Sequence, residues 1–91
     1  MPKYVIERDV PGVGGMSAEQ LCGLSAASNK VLSGMGHGIQ WVHSYATTDR
    51  LFCVYNAENE DLIREHARRG GFPCDLIHRV GAIIDPVTGE G

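Results

Sequence analysis

Apolar and polar residues alternate from Lys3 to Arg8 (KYVIER), and the β-favouring Tyr, Val and Ile there predict a first strand. Proline and glycine break the pattern over Asp9 to Gly15 (DVPGVGG), which reads as a loop. The period then lengthens. Leu21, Leu24, Ser28, Val31, Leu32 and Met35 recur at helical spacing behind Ser17, with Gln20 placed to complete a capping box. Gly34 and Gly36 end that helix. Ile39 to Ala46 (IQWVHSYA) and Arg50 to Tyr55 (RLFCVY) read as strands joined by a short turn at Thr47 to Asp49, hence a hairpin. A second helix is predicted over Glu58 to Arg69, with acids in its first turn and Arg64, Arg68 and Arg69 toward its end, as the helix dipole favours. Gly70-Gly71 and Pro73 stop it. Leu76 to Ile84 (LIHRVGAII) reads as a fourth strand, and the domain is expected to span 1–85, with 86–91 a flexible tail.

The order β-α-β-β-α-β folds compactly as an α+β, ferredoxin-like sandwich: a four-stranded antiparallel sheet with both helices on one face. A two-residue turn at Thr48-Asp49 sets residue 43 opposite 54 and residue 45 opposite 52. Strict alternation then puts Trp41, His43, Tyr45, Phe52 and Val54 on one face. Val42, Ser44, Ala46, Leu51, Cys53 and Tyr55 take the other. The second set holds small residues on the second strand and is expected to face the helices. The aromatic set is left on the open face, where a patch of that kind calls for cover, and a homodimer is the expected cover.

Composition narrows the function classes. Eight Lys+Arg against eleven Asp+Glu give a net charge of −3, which argues against a phosphate-driven nucleic-acid partner and against a polybasic membrane surface. No apolar run approaches the roughly 20 residues of a membrane span, and no leader pattern follows Met1, so a cytoplasmic location is expected. Cys22, Cys53 and Cys74 are odd in number, far apart and without a CxxC, which predicts reduced thiols. The third strand lacks the basic, glycine-containing motif of RNA-recognition sheets, and the first loop lacks the cysteines of a copper chaperone. Gly12-Val13-Gly14-Gly15 precedes a helix as a phosphate-binding turn does, yet it is not GxGxxG and has no P-loop lysine.

The candidate chemistry is sparse. His66 shares the inward stripe of Leu62 and Ile63, either as a hydrogen-bonded core residue or as a ligand or base at a buried site. Glu7 and Asp9 close the first strand and either accept backbone N–H groups or coordinate a metal. His43, between Trp41 and Tyr45, is a candidate base or ligand, with Tyr45 a hydrogen-bond donor in an aromatic-lined pocket for a small molecule. Cys53 with His66 is the one thiol–imidazole pairing to consider. No two histidines have metal-binding spacing along the chain, so any site has to be assembled by the fold.

Several segments together resemble the small bacterial domain-of-unknown-function proteins described as nickel-binding. They are VIERDVPG in the first strand, Ser17-Ala18-Glu19-Gln20-Leu21, Trp41-Val42-His43-Ser44-Tyr45, Phe52-Cys53-Val54-Tyr55 and Arg64-Glu65-His66-Ala67 with Gly71-Phe72-Pro73. The resemblance implies a ferredoxin-like fold, a homodimer and, for some members, a bound divalent transition metal. Nickel, or zinc, would then be held by His66 with Glu7 or Asp9, and His43 as a further donor. The family's metal-binding pattern has histidines after the first strand and in the first helix, with an aspartate nearby. Here those positions hold Arg8 or Asp9, Ser25 and Ser28, and His66 alone keeps the ligand type.

Overall fold

The computed structural model describes all 91 residues. In chain order the elements are β1 (Lys3–Asp9), α1 (Ala18–Ser33), β2 (Ile39–Ala46), β3 (Arg50–Ala57), α2 (Glu60–Gly70) and β4 (Leu76–Arg79). The strands form one antiparallel sheet in the order β2-β3-β1-β4, the ferredoxin-like arrangement expected from the sequence. α1 starts where its capping box predicts, and α2 starts two residues after the predicted Glu58. Ser17 Oγ accepts from the Gln20 N–H at 3.1 Å while Gln20 Oε1 accepts from the Ser17 N–H at 2.9 Å. Asn59 Oδ1 accepts from the Leu62 N–H, which leaves Glu58 outside α2.

Alternation along β1 sends Tyr4, Ile6 and Arg8 inward and Lys3, Val5 and Glu7 outward. Tyr4 and Ile6 join Ile39, Cys53, Tyr55, Ala57 and Ile63 in one buried cluster between the sheet and α2. The core is small, with 12 of 91 residues buried, as a chain this short allows.

Two expectations need correction. The hairpin register is the predicted one from His43↔Val54 to Ala46↔Leu51, but a β-bulge between Trp41 and His43 restores pairing as Trp41↔Tyr55 and Ile39↔Ala57. The extra residue shifts the first half of β2 by one side-chain phase. Ile39 and Trp41 therefore face the helices, and Val42 lies 45% exposed on the open face. Strict alternation would instead have left Ile39 and Trp41 in solvent.

The fourth strand is also shorter than predicted. It ends at Arg79, opposite Tyr4, and Val80 donates a last ladder bond to the Lys3 carbonyl. Residues 81–84 belong to no strand, and Ala82 and Ile83 lie beside Lys3, Val5 and Val42 of the open face. Every residue from Gly81 onward is exposed.

The glycine loop after β1 serves the fold. Gly12 N–H donates to Asp49 Oδ1, Gly14 N–H to the Thr48 carbonyl and Val10 N–H to the Asp49 carbonyl. These bonds clamp the loop onto the β2–β3 turn. The remaining amides of the loop, Val13 and Gly15, close turns within it, so no nest of free N–H groups is left for a phosphate.

Candidate functional site

α2 lies tightly on the sheet through Ile63, His66 and Ala67, all buried. α1 does not. Its one buried residue is Ser28, while Leu21, Leu24 and Ser25 on the same face remain half-exposed. A chamber of about 230 Å³ lies between them and the sheet. Leu21, Leu24, Ser25 and Ser28 form its α1 wall. Trp41, Ser44, Ala46, Leu51, Cys53 and Tyr55 form its floor, and Arg8 and Phe72 complete the lining. The small residues of β2 leave this space open instead of drawing the helix close. The bulge supplies Trp41, whose indole N–H donates to Ser44 Oγ at 2.9 Å.

Arg8 is the unexpected member. It is 3% exposed, on the inward phase of β1, and makes no ion pair with any carboxylate. Its guanidinium donates to the Pro73 carbonyl and, at 3.4 Å, to Tyr55 Oη, and lies 5.9 Å from the ring centroids of both Tyr55 and Phe72. Cation–π contact of this kind offsets part of the desolvation. Burial holds the Tyr55 phenol above its ordinary value despite the Arg8 charge beside it. Tyr55 is therefore neutral at physiological pH and does not cancel that charge.

His66 stands behind Ser28. It is fully buried, with Nε2 3.2 Å from Ser28 Oγ and its ring 5.5 Å from Tyr55 and 5.3 Å from Phe72. Nδ1 has no partner. The Phe72 contact depends on two glycines. Gly71 adopts φ 69° and Phe72 N–H returns to the Ala67 carbonyl, which turns the ring back over the helix end. A Cβ on Gly70 would sit 2.2 Å from that ring. Burial first, then the Arg8 cation, pushes the imidazole from its ordinary 6.5 to about 4, and a hydrogen bond with the Ser28 backbone offsets only part of this. The imidazole is therefore neutral near pH 7. The ring nitrogen is engaged with Ser28, not with Cys53.

The sheet separates the remaining predicted residues from His66. Glu7 points to the open face, where its carboxylate meets His78 Nε2 at 2.6 Å and Arg50 at 3.9 Å. Asp9 is exposed at the strand end, its N–H donating to Asp75 Oδ2. His43 and Tyr45 meet edge to face at 5.0 Å on the open face, whereas Trp41 lies beneath α1. The set His66, Glu7 and Asp9 is thus not brought together, nor is Trp41 with His43 and Tyr45. One face of a strand cannot serve both sides of a sheet.

A small α+β domain with a largely apolar chamber under one helix is the class this geometry defines. The family model "Nickel responsive protein SCO4226-like" matches residues 4–80, and the chain belongs to that family. The crystal structure of SCO4226 from Streptomyces coelicolor A3(2) is similar in fold, with a TM-score of 0.74 and 17% identity over 90% of this chain and 99% of that one. No curated protein matches the chain. The family description raises a metal, and the donors do not fit one at His66. No group of three or more His, Cys, Asp or Glu side chains converges anywhere in the chain. The imidazole near the chamber also shares its surroundings with an uncancelled cation, which repels a second one. No helix is long and apolar enough to cross a membrane.

Proposed function

We propose that this chain is a small-molecule-binding member of the nickel-responsive family and acts as a homodimer, with the chamber beneath α1 as its ligand seat. The observation that carries this reading is the gap itself: α1 stands off the sheet where a core belongs. At about 230 Å³ the chamber lies just below the span of about 300–1,000 Å³ typical of ligand pockets, so its occupant is fragment-sized. Trp41, the single tryptophan, is its built-in reporter. Apolar fragments titrated into labelled protein are expected to shift the Trp41 indole N–H and the Leu24 and Ser28 amides, and Ser25→Leu is expected to abolish those shifts by filling the space. Shifts confined to Val42, Tyr45 and Val54, or none, overturn the reading.

The homodimer rests on the open face. Tyr45 is 61% exposed and Leu76 50%, beside the segment after β4 that carries Ile83 and Ile84, 70% and 80% exposed. That is more apolar surface than a monomer of this size comfortably exposes. Sedimentation equilibrium at micromolar concentration giving the mass of one chain removes it.

A metal remains a second reading, moved from His66 to the open face. The family description supports it, as does the Glu7–His78 pair, two donors of suitable type already in contact. A second copy on that face would supply two more. Calorimetric titration with Ni²⁺ is expected to give heat that His78→Ala removes and His66→Ala leaves intact. Absence of heat with the unaltered protein rules the metal out.

A further inference from the structure

The chamber's one charged group is out of proportion to its surroundings. Arg8 carries five N–H donors, and its hydrogen bonds to Pro73 and Tyr55 occupy two of them. Buried arginines are ordinarily paired with a carboxylate, because an uncompensated charge away from water is costly. Here no Asp or Glu answers it, the nearby phenol is neutral, and the cation borders an apolar space. A site that holds a buried charge without its counter-charge is one that a ligand completes.

We propose that the chamber binds a small organic monoanion, a carboxylate on a short apolar or aromatic arm. The carboxylate sits on the Arg8 guanidinium and the Ser28 hydroxyl, and the arm lies against Leu21, Leu24 and Leu51. The inference rests on the chamber being a ligand seat and names the class of ligand.

Three observations select a monocarboxylate. The charge to be matched is one, with no lysine or second arginine lining the space, so a dianionic phosphate would bring an unmatched charge. The guanidinium fork fits the two oxygens of a carboxylate. The serine is set to donate. A buried N–H without a partner costs more than a lone pair without one, so His66 holds its proton on Nε2 and leaves a bare lone pair on Nδ1. Nε2–H then donates to Ser28 Oγ, so the Ser28 O–H is directed away from the imidazole, toward Tyr55 or an anion in the chamber. His66 is a positioning residue in this arrangement: it stays neutral and aims Ser28.

The test pairs each acid with its uncharged counterpart. Butyrate, hexanoate, benzoate and phenylacetate, and the four primary amides, are titrated into the full chain with the Trp41 indole N–H and the Ser28 amide as reporters. At least one acid is expected to bind about tenfold or more tightly than its amide, the worth of a charge-assisted hydrogen bond. Arg8→Met is expected to erase that ratio, weakening the acid far more than its amide, and Arg8→Lys to retain part of it. Acids and amides that bind equally in the chamber overturn the anion while the ligand seat stands. If no compound of the eight moves Trp41, both fall. Arg8→Met also separates binding from architecture. A ligand-holding Arg8 predicts a folded variant with a Tm no lower than the parent's, because an unpaired buried charge has been replaced by an apolar chain of similar length. A purely structural Arg8 predicts a lowered Tm and an acid-to-amide ratio near one in the unaltered protein.

Discussion

The two strand–helix–strand halves share a topology and do opposite things. In the second half, Ile63, His66 and Ala67 of α2 seal the centre of the sheet. In the first, α1 is longer, 16 residues against 11, yet buries only Ser28 and leaves a chamber beneath Leu21 and Leu24. Helix length does not decide packing depth. What decides it is what lies under the helix. α2 rests on the wide residues Tyr4, Ile6 and Tyr55, which meet its inward stripe. α1 spans Ser44 and Ala46, too small to fill the distance, and is propped by Trp41 and Phe72 at the chamber lining.

The contrast can be broken most forcefully by truncation. Ile63→Ala should cost about 2–5 kcal/mol in denaturant unfolding, the range for a fully buried aliphatic, whereas Leu24→Ala should cost under about 1.5 kcal/mol because its site is already open. Comparable losses at the two positions would show that α1 is packed after all.

Acid probes the sealed side next. The folded His66 imidazole titrates near 4, below its ordinary 6.5, so between those values the unfolded chain carries a proton that the folded one does not. Stability contributed by this group is therefore full above about pH 6.5 and drains away as pH falls toward 4. The loss is on the order of 3 kcal/mol at 1.36 kcal/mol per unit. His66→Gln should flatten the stability–pH curve within that window, and an unchanged slope would mean that the ring is not buried away from protons.

Enlargement gives the mildest effects and the sharpest opposition of sign. Ala67→Leu overfills a packed position and should lose about 1–3 kcal/mol, while Ser25→Leu enters empty space and should be neutral or raise Tm. Thermal melts of the two variants side by side measure the difference. A destabilised Ser25→Leu would indicate that the chamber closes in solution.

Much of this was legible along the chain. The capping box at Ser17, the glycine stops and the two periods locate both helices and the hairpin, because these signals act over three or four residues, whereas the cap at Asn59 went unread. His66 was legible as inward-facing from its spacing behind Leu62 and Ile63. Arg8 carried a signal in its phase: it shares the alternation of Tyr4 and Ile6, which carries its charge to the buried side of the sheet. Nothing local marks the bulge at Val42, although Ile39 and Trp41 can both reach the core only if the alternation slips once before His43.

The ferredoxin-like architecture thus follows from order and period alone, since short-range propensity and capping energies are written residue by residue. Which groups share a site does not follow. A single inserted residue in β2 moved Trp41 from one side of the sheet to the other, and the sheet itself parts Glu7 from His66, only one strand and one helix away in the topology. Side-chain period is two, so each such choice is all or nothing. It is settled by how strands register against distant partners and by how far a helix is held from the sheet beneath it.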